Sequence, residues 1–230
     1  MKTWSMNLSL CLILGAVTAG FAQSAAPDTH DEIEQTTKAA TIFREVMSAP
    51  DKAIPRNILD NADCVAVFPQ VFKAAFGIGG SGGRGVVVCR QAGGWSAPAF
   101  LNVGGASFGF QIGAEATDYV MLFMTPDSAR SLLETNLKLG GNLSVAAGPI
   151  GRDAGAATDL KLNAQILSYS RSKGLFAGAA LEGAVIETAK GDMRDVYGAS
   201  ATARSVLFGG AAAPQAMTAF AKTIESFTSK

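Results

Sequence analysis

Residues Gly77 to Gly113 read GIGGSGGRGVVVCRQAGGWSAPAFLNVGGASFGFQIG, in which 12 of 37 residues are glycine. The segments between the glycines are β-branched or aromatic: Val86-Val87-Val88, Phe100-Leu101, Val103, Phe108, Phe110 and Ile112. Glycine serves turns and close backbone approaches, whereas Val, Ile and Phe suit a pleated, half-buried surface. The stretch therefore predicts a run of short antiparallel strands joined by tight glycine turns. Disordered glycine-rich sequence lacks this apolar content. From Cys64 to Ala114 the charged residues are Lys73, Arg84 and Arg90, with no acidic residue, so the centre of a neutral chain is locally positive.

Flanking segments supply helices. Asp28 to Met47 has Ile33, Thr36, Ala40, Phe43 and Met47 at helical spacing, with Thr29 and Glu32 placed for a capping box. Its polar face is acidic, which favours packing on the domain over a membrane-surface role. Pro55 to Ala62 predicts a short helix with proline in its first turn. Cys64 to Phe68 predicts a strand stopped by Pro69, Asp118 to Met124 another, and Pro126 to about Leu137 a helix. Further on, Asn142 to Ala147 reads as a strand. Ala164 to Ser170 and Leu175 to Leu181 form a hairpin pattern about Lys173-Gly174. Val185 to Lys190 is ambiguous, Arg194 to Tyr197 and Ala201 to Phe208 read as helical, and Pro214 to Phe227 closes the chain with Met217, Phe220, Ile224 and Phe227 inward. The expected fold class is α+β, a strongly curved or barrel-like antiparallel sheet flanked by helices.

At 230 residues and 48% hydrophobic, the chain can bury one good core. Residues 1–22 predict a secretory signal: Lys2, an apolar run from Met6 to Val17, and small residues Gly20 and Ala22 before the cut. The expected organisation is a signal peptide (1–22), an N-terminal helical segment (23–50) and a main domain (51–230). Export gives Cys64 and Cys89 an oxidising compartment in which to pair; two buried thiols are the alternative. Zero formal net charge offers no case for nucleic acid, and the sequence does not set the oligomeric state.

Apparent catalytic motifs fail on context. Gly77-x-Gly79-x-x-Gly82 is followed by a strand rather than a helix, with no acidic residue before Glu115, so dinucleotide binding is rejected. Gly79-Gly80-Ser81-Gly82-Gly83 and Gly105-Ala106-Ser107-Phe108-Gly109 match a nucleophile elbow, but the single histidine, His30, lies far upstream. One histidine and two mature cysteines form no metal-ligand pattern, and no cofactor is expected. Asp118 reads as a strand-end residue bonded to backbone, or an ion-pair partner of Lys73 or Arg90. Trp95, just after a glycine turn, reads as a cover for a sheet end or as an anchor in lipid headgroups.

Ala66-Val67-Phe68-Pro69, Lys73, Phe76-Gly77, Gly79-Gly80, Gly82, Gly85-Val86, Arg90, Trp95-Ser96-Ala97-Pro98-Ala99-Phe100 and Gly109-x-Gln111-Ile112-Gly113 through Asp118 together resemble the SYLF family. The resemblance runs from about Asn57 to the C-terminus. It implies a lipid-binding protein: eukaryotic members bind phosphoinositides and associate with actin in endocytosis, and bacterial members are exported. Two features depart from the eukaryotic pattern, the acidic first helix and the leader, and an exported protein is expected to meet no actin. The expectation is a non-enzymatic module recognising anionic phospholipids at a periplasm-facing membrane through Lys73, Arg84, Arg90 and Trp95. Arg84 leads, because its glycine turn would aim backbone amides at phosphate. The alternatives are a carrier holding an acyl chain inside the curved sheet, and an enzyme of unrecognised type.

Overall fold

The computed structural model describes residues 28–50, 52–134, 136–141, 143–151, 164–172, 175–178 and 183–229. The expected signal peptide and the Lys173-Gly174 turn lie outside these. Helices α1 (His30–Met47) and α2 (Arg56–Asp60) lead into two long strands, β1 (Cys64–Gln91) and β3 (Ala99–Phe123), with the two-residue β2 (Gly94–Trp95) between them. Then come α3 (Pro126–Ser131), β4 (Leu137–Lys138), β5 (Val145–Ala147), β6 (Ile166–Ser172), β7 (Leu175–Gly178) and β8 (Val185–Thr188). Helices α4 (Lys190–Tyr197), α5 (Ala203–Leu207) and α6 (Ala219–Glu225) complete the chain, with a 3-10 turn at Gln215–Met217.

The glycine-rich centre is one ribbon, not a series of hairpins. β1 and β3 pair antiparallel from Cys64↔Phe123 to Val87↔Ala99, with register shifts between Phe68 and Val71 and between Ala75 and Gly77. None of the glycines from Gly79 to Gly85 that the structure describes has a positive φ, so turn geometry is not their purpose. Close approach is. A Cβ on Gly85 would run into the Phe68 ring, and one on Gly83 would come within 2.9 Å of Val71 Cγ2. Gly85 opposes Phe68, Gly83 opposes Val71, and Cys89 meets Cys64, so the ribbon curls and lays its two halves face to face. Large side chains on one half need bare backbone on the other.

Outer strands extend each half. β6 pairs β3 over Asp118↔Arg171 to Phe123↔Ile166, and carries β7 antiparallel and β5 parallel. At the other end, β8 pairs β3 over Leu101↔Thr188 to Gly104↔Val185, and β4 pairs β8. The result is the curved, half-barrel antiparallel sheet expected, with helices outside it. Val65, Val67, Val86 and Val88 are as buried as their inward neighbours, because α1 and the C-terminal helices cover the outer face. α1 is held to α6 by Phe43, whose ring meets Phe220 and Phe227 edge-on at 6.3 and 6.2 Å, and by Arg44 donating to Thr223 Oγ1. Helix α1 therefore shares the core of the sheet and the C-terminal helices. Met217, Phe220 and Ile224 are buried as expected.

Several boundaries moved for local reasons. Pro69 does not stop the strand but sits in a bulge, where its missing N–H costs no ladder bond. The adjacent Gln70 takes φ 51°, and its N–H is captured by Asp118 Oδ1 at 2.9 Å. The helix expected to reach Leu137 ends at Ser131, because Leu137 is drawn into the sheet opposite Ile186. Thr29 makes no capping bond. Glu32 instead turns inward. No helix among the described residues is long and apolar enough to cross a membrane.

Candidate functional site

The expected lipid contacts do not assemble into a patch. Residues alternate across a strand, so the geometry that turns Val71 and Gly83 towards each other puts Lys73 on the inward face and Arg84 and Arg90 on the outward one. Lys73 pairs with Glu115 in register and holds its Nζ 5.3 Å from the Tyr119 ring centroid. Arg90 lies 4.6 Å over the Trp95 ring and donates to the carbonyls of Leu59, Asp60 and Ala62, closing the C-terminal end of α2. Trp95 is half-buried beneath it, packed against the core.

Arg84 is not in a turn. It sits within β1 opposite Asn102 and is ringed by carboxylates: Asp192 at 2.6 Å, Glu32 at 3.4 Å and Asp31 at 3.7 Å. Burial works against its charge, but the Asp192 hydrogen bond and these three neighbours outweigh that and hold its proton above the ordinary arginine range. The acid-free interval is linear only; the fold brings acids in from α1 and α4. Since Glu32 is 5% exposed, Arg84→Ala strands a buried carboxylate. The expected cost is about 2 kcal/mol, less than for a fully buried pair because Arg84 itself is half exposed. Urea unfolding measures it; unchanged stability would count against the structural role.

Asp118 makes the backbone bond expected of it, but its ionic partner is Arg171, whose Nε and Nη2 reach Asp118 Oδ2 at 2.9 and 2.8 Å. Arg171 also bonds Glu45 on α1. Cys64 and Cys89 are bonded, with Cα atoms 4.0 Å apart. That disulfide, Phe68 on Gly85 and Val71 on Gly83 bring the ribbon halves into contact at these positions.

A different group of cations converges. A cavity of about 610 Å³ opens between the end of α3, α4 and α5, lined among others by Lys190, Arg194, Arg204, Glu134, Leu133 and Met193. Lys190 and Arg194 are four apart on α4 and share a face. Arg204 comes from the first turn of α5, which the reciprocal Thr202–Ser205 capping box fixes in place. Among the described residues none of the three forms an ion pair, and all are exposed. Met193 is buried and its sulfur accepts from the Phe100 N–H at 3.4 Å, which roots the apolar wall in the sheet. Three cations against Glu134, beside apolar surface, suit an anion attached to an apolar body. Sequence reading missed this site because Lys190 to Asp195 alternates in charge. The i, i+4 spacing of Lys190 and Arg194 was the available signal.

The family described as Ysc84, Las17-binding protein actin regulator, matches residues 104–227. LAS seventeen-binding protein 3 of Saccharomyces cerevisiae is 37% identical over 201 residues, 84% of this chain and 44% of that protein. SH3 domain-containing YSC84-like protein 1 of Homo sapiens is 36% identical over 203 residues, 85% of this chain and 59% of its own length. The chain spans about half the length of the curated relatives it matches. Identity at that level over most of the chain leaves no doubt of kinship: this chain belongs to the Ysc84 family, the SYLF-domain proteins whose motifs it carries.

Proposed function

We propose that this chain is a non-enzymatic lipid-binding protein that recognises anionic phospholipids at a membrane surface, and that it works on the periplasmic side after export. The cavity lined by Lys190, Arg194 and Arg204 carries the reading: three cations that form no ion pair among the described residues, beside apolar wall, outnumber the one carboxylate there and favour an anion. The single histidine, His30, is exposed on α1 with Asp31 and Glu34 as neighbours, far in sequence from both glycine-flanked serines, which supports a binding role over hydrolysis. Las17 binding and SH3 domains are named for relatives of which this chain covers about half, and no actin partner is proposed here. Export rests on the leader; N-terminal sequencing of the protein from the periplasmic fraction is expected to begin near Gln23, and an intact Met1 would reject it.

Each basic side chain near an anionic surface contributes about 1 kcal/mol. The triple variant Lys190→Ala, Arg194→Ala, Arg204→Ala is therefore expected to weaken binding to phosphatidylglycerol-containing vesicles about a hundredfold, with unchanged circular dichroism. Flotation at low and high salt measures it. Unchanged flotation of the folded triple variant rejects this cavity, and absence of flotation by the wild type rejects the lipid reading.

A further inference from the structure

A second site lies beside α1. A cleft of about 210 Å³ separates the first turns of α1 from the β1 bulge, walled by Asp31, Gln35, Lys38, Gln70 and Arg84. Gln35 faces the sheet at 7% exposure, yet neither its Oε1 nor its Nε2 has a hydrogen-bond partner. Glu32, at 5% exposure, spends Oε1 on Arg84 and leaves Oε2 buried without one. The opposite wall holds Gln70 at φ 51°, a left-handed conformation unusual for a side-chain-bearing residue, kept there by Asp118. Such conformations collect at ligand clamps. The large majority of buried side-chain polar atoms in folded proteins have a partner, so three unmet ones on adjacent turns beside a strained residue point to a guest.

The charges say what kind. Asp31, Glu32 and Asp192 surround Arg84, and Glu34 pairs with Lys38 at 2.7 Å, so four carboxylates face two cations. The positive half-charge of the α1 N-terminus leaves that balance negative. A guest that presents a cation is favoured, and one that presents only an anion is not. A bare metal ion would meet the acceptors but leave the Gln35 Nε2 hydrogens without a partner. A quaternary ammonium would want aromatic walls, and no aromatic residue among the described ones lines this cleft. A primary ammonium has three N–H donors for Gln35 Oε1 and the Asp31 and Glu34 carboxylates that line the cleft, and an oxygen two carbons away can accept from Gln35 Nε2. We infer that the cleft between α1 and the β1 bulge is a binding site for a small amino-alcohol group, either free or as the headgroup of a lipid.

The test is nuclear magnetic resonance of the full mature chain labelled with ¹⁵N, titrated with ethanolamine and, at matched ionic strength, with choline. Ethanolamine is expected to shift the Gln35 side-chain amide and the Gln70 backbone amide saturably, and choline to leave them in place. Gln35→Leu is expected to weaken ethanolamine binding at least tenfold, as read from the Gln70 amide. Gln35→Met, nearer in shape, repeats the measurement should the leucine variant fold poorly. The variant Lys190→Ala, Arg194→Ala, Arg204→Ala is expected to bind ethanolamine normally, which keeps this site separate from the anionic-lipid reading. Flotation with phosphatidylethanolamine in phosphatidylcholine vesicles assigns the source: dependence on Gln35 marks the headgroup, and independence marks the free compound. Absence of a saturable shift, or equal shifts with choline, overturns the proposal.

Discussion

Gly85→Val is expected to destabilise the protein by about 3 kcal/mol or more. The added Cβ would come within 2.8 Å of three Phe68 ring carbons, and that ring is fully buried, so it has nowhere to swing. Overpacking a dense core costs about 1–3 kcal/mol, and more when neither partner can yield. Here both partners belong to one strand folded on itself. Phe68→Ala alone is expected to cost about 3–5 kcal/mol through its cavity. The double variant is expected to be less damaged than the sum by about 2 kcal/mol, because each change relieves the other. Gly82→Ala is the control: a Cβ there meets nothing within 4 Å, so its effect should stay within about 0.5 kcal/mol. Urea unfolding of the four variants measures all of this. Additive costs at Gly85 and Phe68 would mean that the ribbon halves do not pack as described.

That packing also explains what could be read from the sequence and what could not. Helix faces were legible because burial repeats with the helical period: Ala40, Phe43, Phe220 and Ile224 are where periodicity puts them. The curved sheet was legible from glycine density. The purpose of the glycines was not, since a turn and a close approach call for the same residue and differ only in φ and in what lies opposite. Arg84 shows the limit for charge. Its partners Glu32 and Asp192 are 52 and 108 residues away in the chain, so an interval free of acids told nothing about the field around it. Lys190, Arg194 and Arg204 erred the other way: Asp192 sits between the first two in sequence but pairs with Arg84. Gln35 carried no signal at all, being one polar residue in a helix whose exposed faces hold many.

Removing the disulfide is the other change with a large expected effect. Cys64 and Cys89 lie near the two ends of the same strand, 25 residues apart, and both are fully buried. Cross-linking them removes conformations from the unfolded chain, worth about 3 kcal/mol for a loop of this length in the chain-entropy account. In the folded state the bond joins the ribbon halves at the end away from the fold-over, where Asp63 accepts from the Arg90 N–H and donates to the Phe123 carbonyl. Those hydrogen bonds, and the core on both faces, remain when the sulfurs are separated. Cys64→Ala with Cys89→Ala is therefore expected to fold, with a melting temperature lower by about 6–12 °C for a domain of this size. Thermal unfolding with and without dithiothreitol checks it: the reductant should lower the wild type towards the variant and leave the variant unmoved. Equal melting temperatures for oxidised wild type and variant would show that the ribbon is closed by packing alone, and that an oxidising compartment adds nothing to its stability.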